Sequence, residues 1–447
     1  MKSLRKLFAL FISVCFAVSL AACSMPMNGA DGGYMGEPYD IIDGDGGYFA
    51  ELGKVSDGEI AGEHYGSETD KYDSSTGYSP ETTSGLITAA AWNDNIYYSF
   101  WQSLFEKGET DEENGKFYNF YLNNRWGFNS TERVKVTVKH GEDPVCGAFV
   151  ECTDGDGIRR FLAKTGADGV CYLFPEIKEG FLKVTSGENV VETAFGEENG
   201  DILVQLEDAE AKRNVIKLML VIDVTGSMGD ELHYLQTELE NVINRVAAAD
   251  NQTRIDLALL FYRDDGDVEK FACYDFVNVT EPEGLSVQVR NLKAQRAEGG
   301  GDYPEAVDEA LEMAVNKEWG EDTSTKIIFH LLDAPPHSNG NNPQNNYEQR
   351  FEAAVRKAAG KGIRICPIIC SGADLLCEYL MRQTAIYTGG TFVFITDHSG
   401  IGNPHHDPEI PNIVVEKLND LIVRLVNGYH TGTFEAPVSW NADYQTP

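Results

Sequence analysis

Three oxygen-bearing side chains stand on alternate residues directly after an apolar stretch of the chain. Asp223, Thr225 and Ser227 follow residues 217–222 (KLMLVI), and Asp333 follows a second apolar stretch, IIFHLL. Uninterrupted apolar stretches of this length are typical of parallel strands that are buried on both faces of a sheet. Ligands of such sheets bind at the carboxyl ends of the strands, so the four side chains are expected to converge. Carboxylate and hydroxyl oxygens suit a divalent cation, with Mg²⁺ expected first and Mn²⁺ or Ca²⁺ as alternatives, better than they suit zinc.

The elements that must position these side chains are a series of strands and helices between residues 214 and 430. After the first strand, further strands are predicted at residues 254–264, 270–277, 327–332, 364–369 and 389–395. Helices are predicted directly after residue 227 and at residues 283–292, 304–315, 349–359 and 414–426. This alternation predicts an α/β fold, a doubly wound and mostly parallel sheet.

The order of the motifs resembles the metal-ion-dependent adhesion site of von Willebrand factor A domains. The segment DVTGS is similar to the D-x-S/T-x-S signature of that site, and Asp333 is similar to its second aspartate. The resemblance implies that Thr225 and Ser227 ligate the cation directly, while Asp223 and Asp333 hold water molecules and fix the hydroxyls. Taken singly, Thr225 and Ser227 are also good helix N-caps, so the prediction depends on the joint order of the motifs.

Between these motifs lies GGGDYPEAVDEAL, at residues 299–311, which resembles the loop before the next helix in many bacterial A domains. The best-known adhesive members place a ligating Thr in this loop, and Asp302 is the nearest candidate here. Asp302 could instead cap the helix that Pro304 begins. A Thr leaves the ion with spare positive charge for a partner's acidic side chain, whereas a third carboxylate neutralises the ion and weakens that attraction. The sequence therefore predicts metal binding and leaves open whether a partner binds through an acidic side chain.

Other polar side chains follow the same strand ends. Arg263 and Asp264 end the second predicted strand, and His337 follows the strand IIFHLL. These three residues are expected on the metal-bearing rim, where they would shape the recognition surface, although His337 could equally be a solvated loop histidine. His405 and His406 could belong to a metal cluster, but no further histidine has ligand spacing, which favours an ordinary loop.

The first 83 residues are predicted to form an export signal followed by a spacer, with an uncleaved anchor or an ordinary signal with an incidental Cys as the alternatives to a lipoprotein signal. Residues 1–22 combine a cationic start with a short apolar run, as in a signal peptide, and the ending LAAC resembles the lipobox of bacterial lipoproteins, with Cys23 as the lipidated residue. Residues 23–83 are rich in Gly, Asp, Ser and Tyr, which predicts a flexible acidic linker. The protein is therefore expected to be lipid-anchored to the bacterial cell membrane and to face outside the cytoplasm.

Two further segments precede the α/β domain, and a tail at residues 431–447 follows it. Residues 84–130 are dense in aromatic side chains at helical spacing, which predicts a helical segment packed on a neighbour. Residues 131–210 alternate apolar and polar side chains, which predicts a small antiparallel β-sandwich. The sequence DPVCGAFV…TGADGVCYLFP resembles carboxypeptidase-regulatory-like and prealbumin-like modules. The DGDG at residues 154–157 is interpreted as a hairpin turn, with a calcium loop as the alternative.

Seven cysteines follow Cys23, so at least one of them cannot form an internal disulfide. Cys152 with Cys171, and Cys370 with Cys377, are spaced loosely enough to be bridged. All seven could equally be small buried hydrophobic residues.

Charge and motif content restrict the function. The chain has 71 acidic and 36 basic residues and a formal charge of −35, which argues against a nucleic-acid partner and favours cations. No nucleophile elbow, P-loop or H-E-x-x-H motif is present in the sequence, and no base is placed by motif beside the ion, so an enzyme is not expected. The expected function is cation-dependent binding of a protein or matrix ligand. The alternatives are an accessory subunit of an envelope complex and a metal-assisted hydrolase.

Overall fold

The computed structural model describes residues 84–196, 200–249, 252–320, 323–340, 342, 344–400, 404–408 and 410–441. The predicted signal peptide, the lipidation at Cys23 and the acidic linker lie outside these residues. Within the described ranges, no helix combines the length and the apolar character needed to cross a membrane.

The described residues form sixteen strands and eight α-helices. The strands are β1 (Thr88–Trp92), β2 (Val134–His140), β3 (Asp143–Pro144), β4 (Phe149–Thr153), β5 (Arg159–Lys164), β6 (Val170–Leu173), β7 (Gly180–Ser186), β8 (Asn189–Phe195), β9 (Ile202–Gln205), β10 (Val215–Asp223), β11 (Arg254–Tyr262), β12 (Phe271–Asn278), β13 (Thr325–Leu332), β14 (Ile363–Ile369), β15 (Phe392–Ile395) and β16 (Val415–Lys417). The helices are α1 (Tyr98–Ser103), α2 (Tyr118–Asn123), α3 (Leu232–Ala249), α4 (Pro282–Lys293), α5 (Val307–Asn316), α6 (Tyr347–Lys361), α7 (Leu375–Thr388) and α8 (Leu418–Thr431).

Eight strands form one central sheet in the order β12-β11-β10-β13-β14-β15-β1-β16. The strands from β11 to β15 in this order are parallel to one another, whereas β12 is antiparallel to β11. Helices α3, α4 and α8 pack on one face of the sheet, and α5, α6 and α7 pack on the other. Because both faces are covered, every residue of β13 is buried, as expected for its uninterrupted apolar sequence. The predicted doubly wound, mostly parallel sheet is confirmed.

The segment at residues 84–130, for which the aromatic spacing predicts a helix, begins instead with the strand β1. This strand lies between β15 and β16 and is antiparallel to both. The Glu238 carboxylate of α3 accepts hydrogen bonds from the backbone N–H groups of Gly85, Leu86 and Ile87 and thereby fixes the start of β1. Helical structure in this segment is limited to α1, α2 and one 3-10 turn.

The aromatic segment at residues 84–130 packs on the helix α7. The Trp101 and Phe117 rings lie 5.8 Å apart, and Phe117 lies 5.3 Å from the ring of Tyr379. Arg382 of α7 is fully buried, and its Nε and Nη2 atoms donate hydrogen bonds to the two carboxylate oxygens of Asp94. These contacts attach the aromatic segment to the α/β domain.

Strands β2 to β9 form two four-stranded sheets. One has the order β3-β2-β6 with β9 beside β2, and the other has the order β5-β4-β7-β8. The pairs are antiparallel, as predicted for a β-sandwich, except that β9 is parallel to β2. Residues 154–157 form the turn between β4 and β5, in which Gly157 has a φ of +78° and Asp154 Oδ1 accepts hydrogen bonds from the N–H groups of Asp156 and Ile158.

The cysteines of the described residues are all unbridged. Six of these seven thiols are buried and the seventh, Cys273, is half-buried. Neither Cys152 and Cys171 nor Cys370 and Cys377 form a disulfide. The cysteines therefore serve as small hydrophobic side chains of the core.

The end of the α/β domain differs from the sequence prediction. Residues 414–426 were expected to form one helix, but residues Val415–Lys417 pair with β1 as β16, and the helix α8 follows at Leu418–Thr431. The helix α7 has no counterpart among the predicted helices. Because β16 pairs with β1 and leads directly into α8, the last helix begins beside the first strand of the described residues.

Candidate metal centre

The carboxyl ends of β10 and β13 lie side by side, because the two strands are parallel neighbours. Asp223 is the last residue of β10, and Asp333 directly follows the last residue of β13. Asp223, Thr225 and Asp333 are buried, whereas Ser227, in the 3-10 turn after β10, is exposed. The four side chains therefore come from two adjacent strand ends and reach solvent on one side.

Asp223 orients the hydroxyl groups that follow it. Its Oδ1 atom accepts hydrogen bonds from Thr225 N–H at 2.9 Å and from Thr225 Oγ1 at 2.7 Å. Thr225 Oγ1 lies 3.1 Å from Ser227 Oγ, so the two hydroxyl oxygens are adjacent. The second carboxylate oxygen, Asp223 Oδ2, is buried and has no hydrogen-bond partner among the described residues. A buried ionised oxygen without a partner is strongly disfavoured, and a cation would supply that partner.

The electrostatics of the aspartate pair favour a positive ion. Burial and, next in size, the charge of Asp333 raise the pKa of Asp223 to about 8. A divalent cation beside the carboxylates would stabilise their ionised forms and reverse this shift. The donor set consists of hard oxygens, so it fits Mg²⁺, Mn²⁺ or Ca²⁺.

In the loop at residues 299–306, called the glycine-rich loop below, the carboxylate of Glu305 is buried, whereas Asp302 is exposed. Glu305 Oε2 has no hydrogen-bond partner among the described residues. Burial and then the charge of Asp223 raise the pKa of Glu305 to about 9, so its carboxyl group belongs to the same electrostatic cluster. The sequence analysis missed Glu305. The signal that could have found it is its position directly after Pro304, in the turn that leads into α5.

Two glycines allow this loop to approach the metal-binding turn. Gly299 and Gly300 have φ values of +80° and +76°, which favour glycine. A Cβ atom on Gly300 would lie 3.1 Å from Glu305 Oε1 and 3.3 Å from Thr225 Cβ. The carbonyl of Gly299 also accepts a hydrogen bond from the N–H of Gly226. Glu305 and Thr225 are therefore close neighbours across the backbone of Gly300.

Asp264, Asp302 and His337 form a second group beside these carboxylates. Each of the three offers one ligand atom, and the three atoms lie within 4.8 Å of one another. His337 Nε2 lies 2.7 Å from Asp264 Oδ1. Asp264 is buried and Asp302 is exposed, so this group spans the rim from the interior to solvent.

Arg263, expected on the recognition surface, is buried instead. Its guanidinium donates hydrogen bonds to the backbone carbonyls of Glu298, Glu269 and Arg296. Arg263 therefore attaches the end of β11 to the residues just before the glycine-rich loop, and its buried side chain is not part of the recognition surface.

One open pocket connects the site to solvent. Its lining includes Ser227, Asp302, Tyr303, Glu305 and Asp333. Thus Asp302 does border the candidate site, but at its solvent side. A partner that entered this pocket would meet oxygen atoms of the metal centre and the backbone of the glycine-rich loop.

The histidine pair near residue 405 is engaged by carboxylates. His405 Nε2 lies 2.6 Å from Glu231 Oε1, and its Nδ1 lies 2.7 Å from Asp397 Oδ1. His406 Nε2 lies 2.6 Å from Glu378 Oε2. These contacts attach residues 404–408 to α7 and to the residue before α3, which agrees with the interpretation of this segment as a structural loop.

The class of domain follows from a comparison with known families. Residues 217–350 match the family model of the von Willebrand factor A domain. The matched stretch contains all four residues of the two strand ends, together with Glu305 and the rim group. Residues 217–350 are thus similar to a von Willebrand factor A domain, and the candidate metal centre lies within this matched stretch.

Two particular relatives share part of the sequence. An ariadne-like RING finger protein of Acanthamoeba polyphaga mimivirus is 31% identical over 141 residues, which are 32% of this chain and 13% of that protein. The alpha-protein kinase vwkA of Dictyostelium discoideum is 26% identical over 123 residues, which are 27% of this chain and 19% of the kinase. The chain thus spans less than a fifth of the length of either relative.

Two solved structures are similar over about half of the chain. The pilus adhesin SpaC of Lactobacillus rhamnosus GG, in its open conformation, has a TM-score of 0.33 and 11% identity over 57% of this chain and 32% of the adhesin. The conserved hypothetical protein BatB of Bacteroides thetaiotaomicron has a TM-score of 0.31 and 11% identity over 48% of this chain and 98% of BatB.

Proposed function

We propose that this chain is a binding protein of the cell envelope whose von Willebrand factor A domain holds a divalent cation and adheres to a protein or matrix partner. The observation that supports the proposal is the pair of buried aspartates, Asp223 and Asp333, beside the hydroxyls of Thr225 and Ser227. Asp223 Oδ2 is buried without a hydrogen-bond partner among the described residues, as expected of an oxygen placed for an ion.

Each residue has a separate role in the proposed site. The hydroxyls of Thr225 and Ser227 would ligate the ion, which is Mg²⁺ in the first instance. Asp223 orients the Thr225 hydroxyl by accepting its hydrogen bond, and Asp333 adds negative charge from the neighbouring strand. The ion, when bound, would supply the positive charge that the buried carboxylates require. Because Ser227 is exposed to solvent, a partner could reach the ion from that side.

The charge around the ion bears on the kind of partner. Asp223, Asp333 and Glu305 carry three negative charges when ionised, and one divalent cation neutralises two of them. A partner's carboxylate would therefore be attracted more weakly here than at a site with a Thr in the position of Glu305. We propose that rim contacts contribute more to partner binding than an acidic side chain on the ion does.

The proposal includes an exported, lipid-anchored location and no catalytic activity. The location is based on the lipobox-like ending at Cys23 and is tested by labelling cells with a radioactive fatty acid. The wild-type chain should incorporate the label and the Cys23→Ser variant should not, and equal incorporation would contradict a lipid anchor at this residue. Catalysis is tested with pools of ester, phosphate and glycoside substrates, and turnover that is lost with Asp223→Ala would replace binding by hydrolysis as the proposed function.

The adhesive role is tested with cells that display the full chain on a panel of immobilised matrix proteins and on whole cells. Adhesion should require Mg²⁺, disappear in EDTA and disappear with Asp223→Ala. Asp275→Ala is the matched control, because Asp275 is an exposed aspartate on the edge strand β12. Adhesion of the control should equal that of the wild type. Adhesion that is indifferent both to EDTA and to Asp223→Ala would contradict the proposal.

A further inference from the structure

One pocket lies at the edge of the central sheet that is remote from the candidate metal centre. Its volume is about 180 Å³, and its lining includes Thr325, the first residue of β13, and Gly362, directly before β14. The loop between β5 and β6 also lines it. Because β10, β13 and β14 are parallel, their amino ends lie at the edge opposite to Asp223 and Asp333. A ligand in this pocket would therefore not contact the metal centre.

The lining of this pocket is basic, although the chain as a whole has a formal charge of −35. Its basic side chains are Lys164, Lys326, Lys361 and Arg364, and its acidic side chain is Asp168. Lys164 and Lys326 are each 3% exposed, and Arg364 is 9% exposed. Basic side chains are rarely buried to this extent unless acids pair with them. Four positive charges against one negative charge give the lining a net charge of +3.

Arg364 forms no ion pair with a carboxylate of the described residues. Its Nη1 atom donates a hydrogen bond to the Thr388 carbonyl at 2.7 Å, but its Nη2 atom lies 3.4 Å from the Lys164 carbonyl and 3.3 Å from the Val170 carbonyl. These two contacts are longer than an ordinary N–H···O bond of about 2.9–3.0 Å. Asp168, the acid of the lining, accepts a hydrogen bond from the N–H of Val170 instead. Carbonyl oxygens do not neutralise a buried positive charge, so an anion beside Nη2 would be stabilised.

Apolar side chains stand at the mouth of the pocket. Ile96 and Phe434 belong to the lining, and they are 68% and 41% exposed, respectively. The rings of Tyr172 and Tyr429 line the pocket as well. Buried cations together with apolar surface fit an anion that carries an apolar group. A volume of about 180 Å³ is below the roughly 300–1,000 Å³ of pockets for drug-sized ligands, so the fitting ligand is small.

We propose that this pocket binds a small phosphate monoester, whose phosphate group pairs with Arg364 and the lysines and whose apolar group contacts Ile96 and Phe434. A phosphate monoester carries about two negative charges at pH 7, so it would reduce the net charge of the lining from +3 to about +1. An anion with a single charge would leave +2. The site does not depend on the proposed adhesive function, because its residues lie at the opposite edge of the sheet.

The experiment titrates the full chain with phenyl phosphate by calorimetry in EDTA. EDTA removes divalent ions, so phosphate that binds through a cation at the metal centre gives no signal. The wild type should bind one phenyl phosphate per chain, and inorganic phosphate should compete with it. Phenyl sulfate, which has a similar shape but a single charge, should bind at least tenfold more weakly.

Two variants test the residues of the pocket. Arg364→Gln and Lys361→Gln should each weaken phenyl phosphate binding at least tenfold, because each removes a charged donor. Lys361 is half-buried at the end of α6, so its variant decides the test if Arg364→Gln does not fold. Lys357→Gln is the matched control, because Lys357 is an exposed lysine of the same helix outside the lining. The control and Asp223→Ala should both bind phenyl phosphate as the wild type does.

Three results would overturn the inference. The first is a wild type that shows no saturable heat with phenyl phosphate. The second is an affinity that is the same in Lys361→Gln as in the wild type, or one that falls equally in Lys357→Gln. The third is phenyl sulfate binding as tight as that of phenyl phosphate. Loss of Mg²⁺-dependent adhesion alone would contradict the proposed function and leave this inference in place.

Discussion

Asp223→Asn should stabilise the metal-free protein while it abolishes cation binding. The amide keeps an oxygen for the two hydrogen bonds from Thr225, and it replaces the unpartnered Oδ2 by an NH₂ group that carries no charge beside Asp333. The folded metal-free wild type must bind a proton at this buried carboxyl group, whereas the amide is neutral at every pH; the cation, in contrast, requires the ionised carboxylate, so the effect on the unfolding free energy is opposite in sign to the effect on cation affinity.

The magnitude follows from the titration of Asp223. Its pKa is 3.8 when unperturbed and about 8 in the folded chain, so the folded carboxyl group retains a proton that the unfolded one has lost. The metal-free wild type therefore loses stability as the pH rises from about 4 to about 8, by at most about 1.4 kcal/mol per pH unit. Asp223→Asn lacks this loss, and its advantage in unfolding free energy should grow by about 2–3 kcal/mol between pH 5 and pH 7.

The assay is urea unfolding in EDTA at both pH values, with hydrogen exchange of the β10 and β13 amides as a readout confined to the α/β domain. Mg²⁺ at about 100 times its dissociation constant should then stabilise the wild type by about 2.7 kcal/mol and leave Asp223→Asn unchanged. The reasoning would be refuted by a variant whose advantage in EDTA is absent or independent of pH.

Two further substitutions test other parts of the account. Gly300→Ala should weaken Mg²⁺ binding at least tenfold in calorimetry, because the backbone is strained for alanine and the added Cβ would lie 3.1 Å from Glu305 Oε1; unchanged affinity would contradict the placement of this loop. Asp94→Ala should lower the free energy of unfolding by about 2–3 kcal/mol in urea, because the fully buried Arg382 loses its two hydrogen bonds to Asp94 and keeps only the one to Glu378. A loss below about 1 kcal/mol would show that the pair contributes no more than a surface ion pair does.

The parts of the fold that could be predicted are those whose signal is local. Uninterrupted apolar stretches predict β10, β11, β13 and β14, because buried parallel strands require apolar side chains on both faces. Once these strands are parallel, their carboxyl ends must meet, and this places Asp223 and Asp333 together. The prediction that Asp223 and Asp333 lie together therefore depends only on the sequence of each strand and on the residue at its carboxyl end.

The parts that could not be predicted depend on long-range contacts. The sequence of β1 is TAAAW, which is too short and too rich in alanine to predict a strand, and its partner β15 lies about 300 residues away. Glu305 was missed because the choice between it and Asp302 depends on how the glycine-rich loop turns at Gly299 and Gly300. The burial of Arg263 likewise depends on backbone carbonyls of other loops.

The most direct test of the central claim is calorimetric titration of the EDTA-treated full chain with Mg²⁺. The wild type should show a saturable heat of binding, and the Asp223→Ala variant should show none, while Asp275→Ala should match the wild type. If the wild type shows no heat of binding with Mg²⁺, and none with Mn²⁺ or Ca²⁺, then the side chains at the ends of β10 and β13 do not form a metal centre.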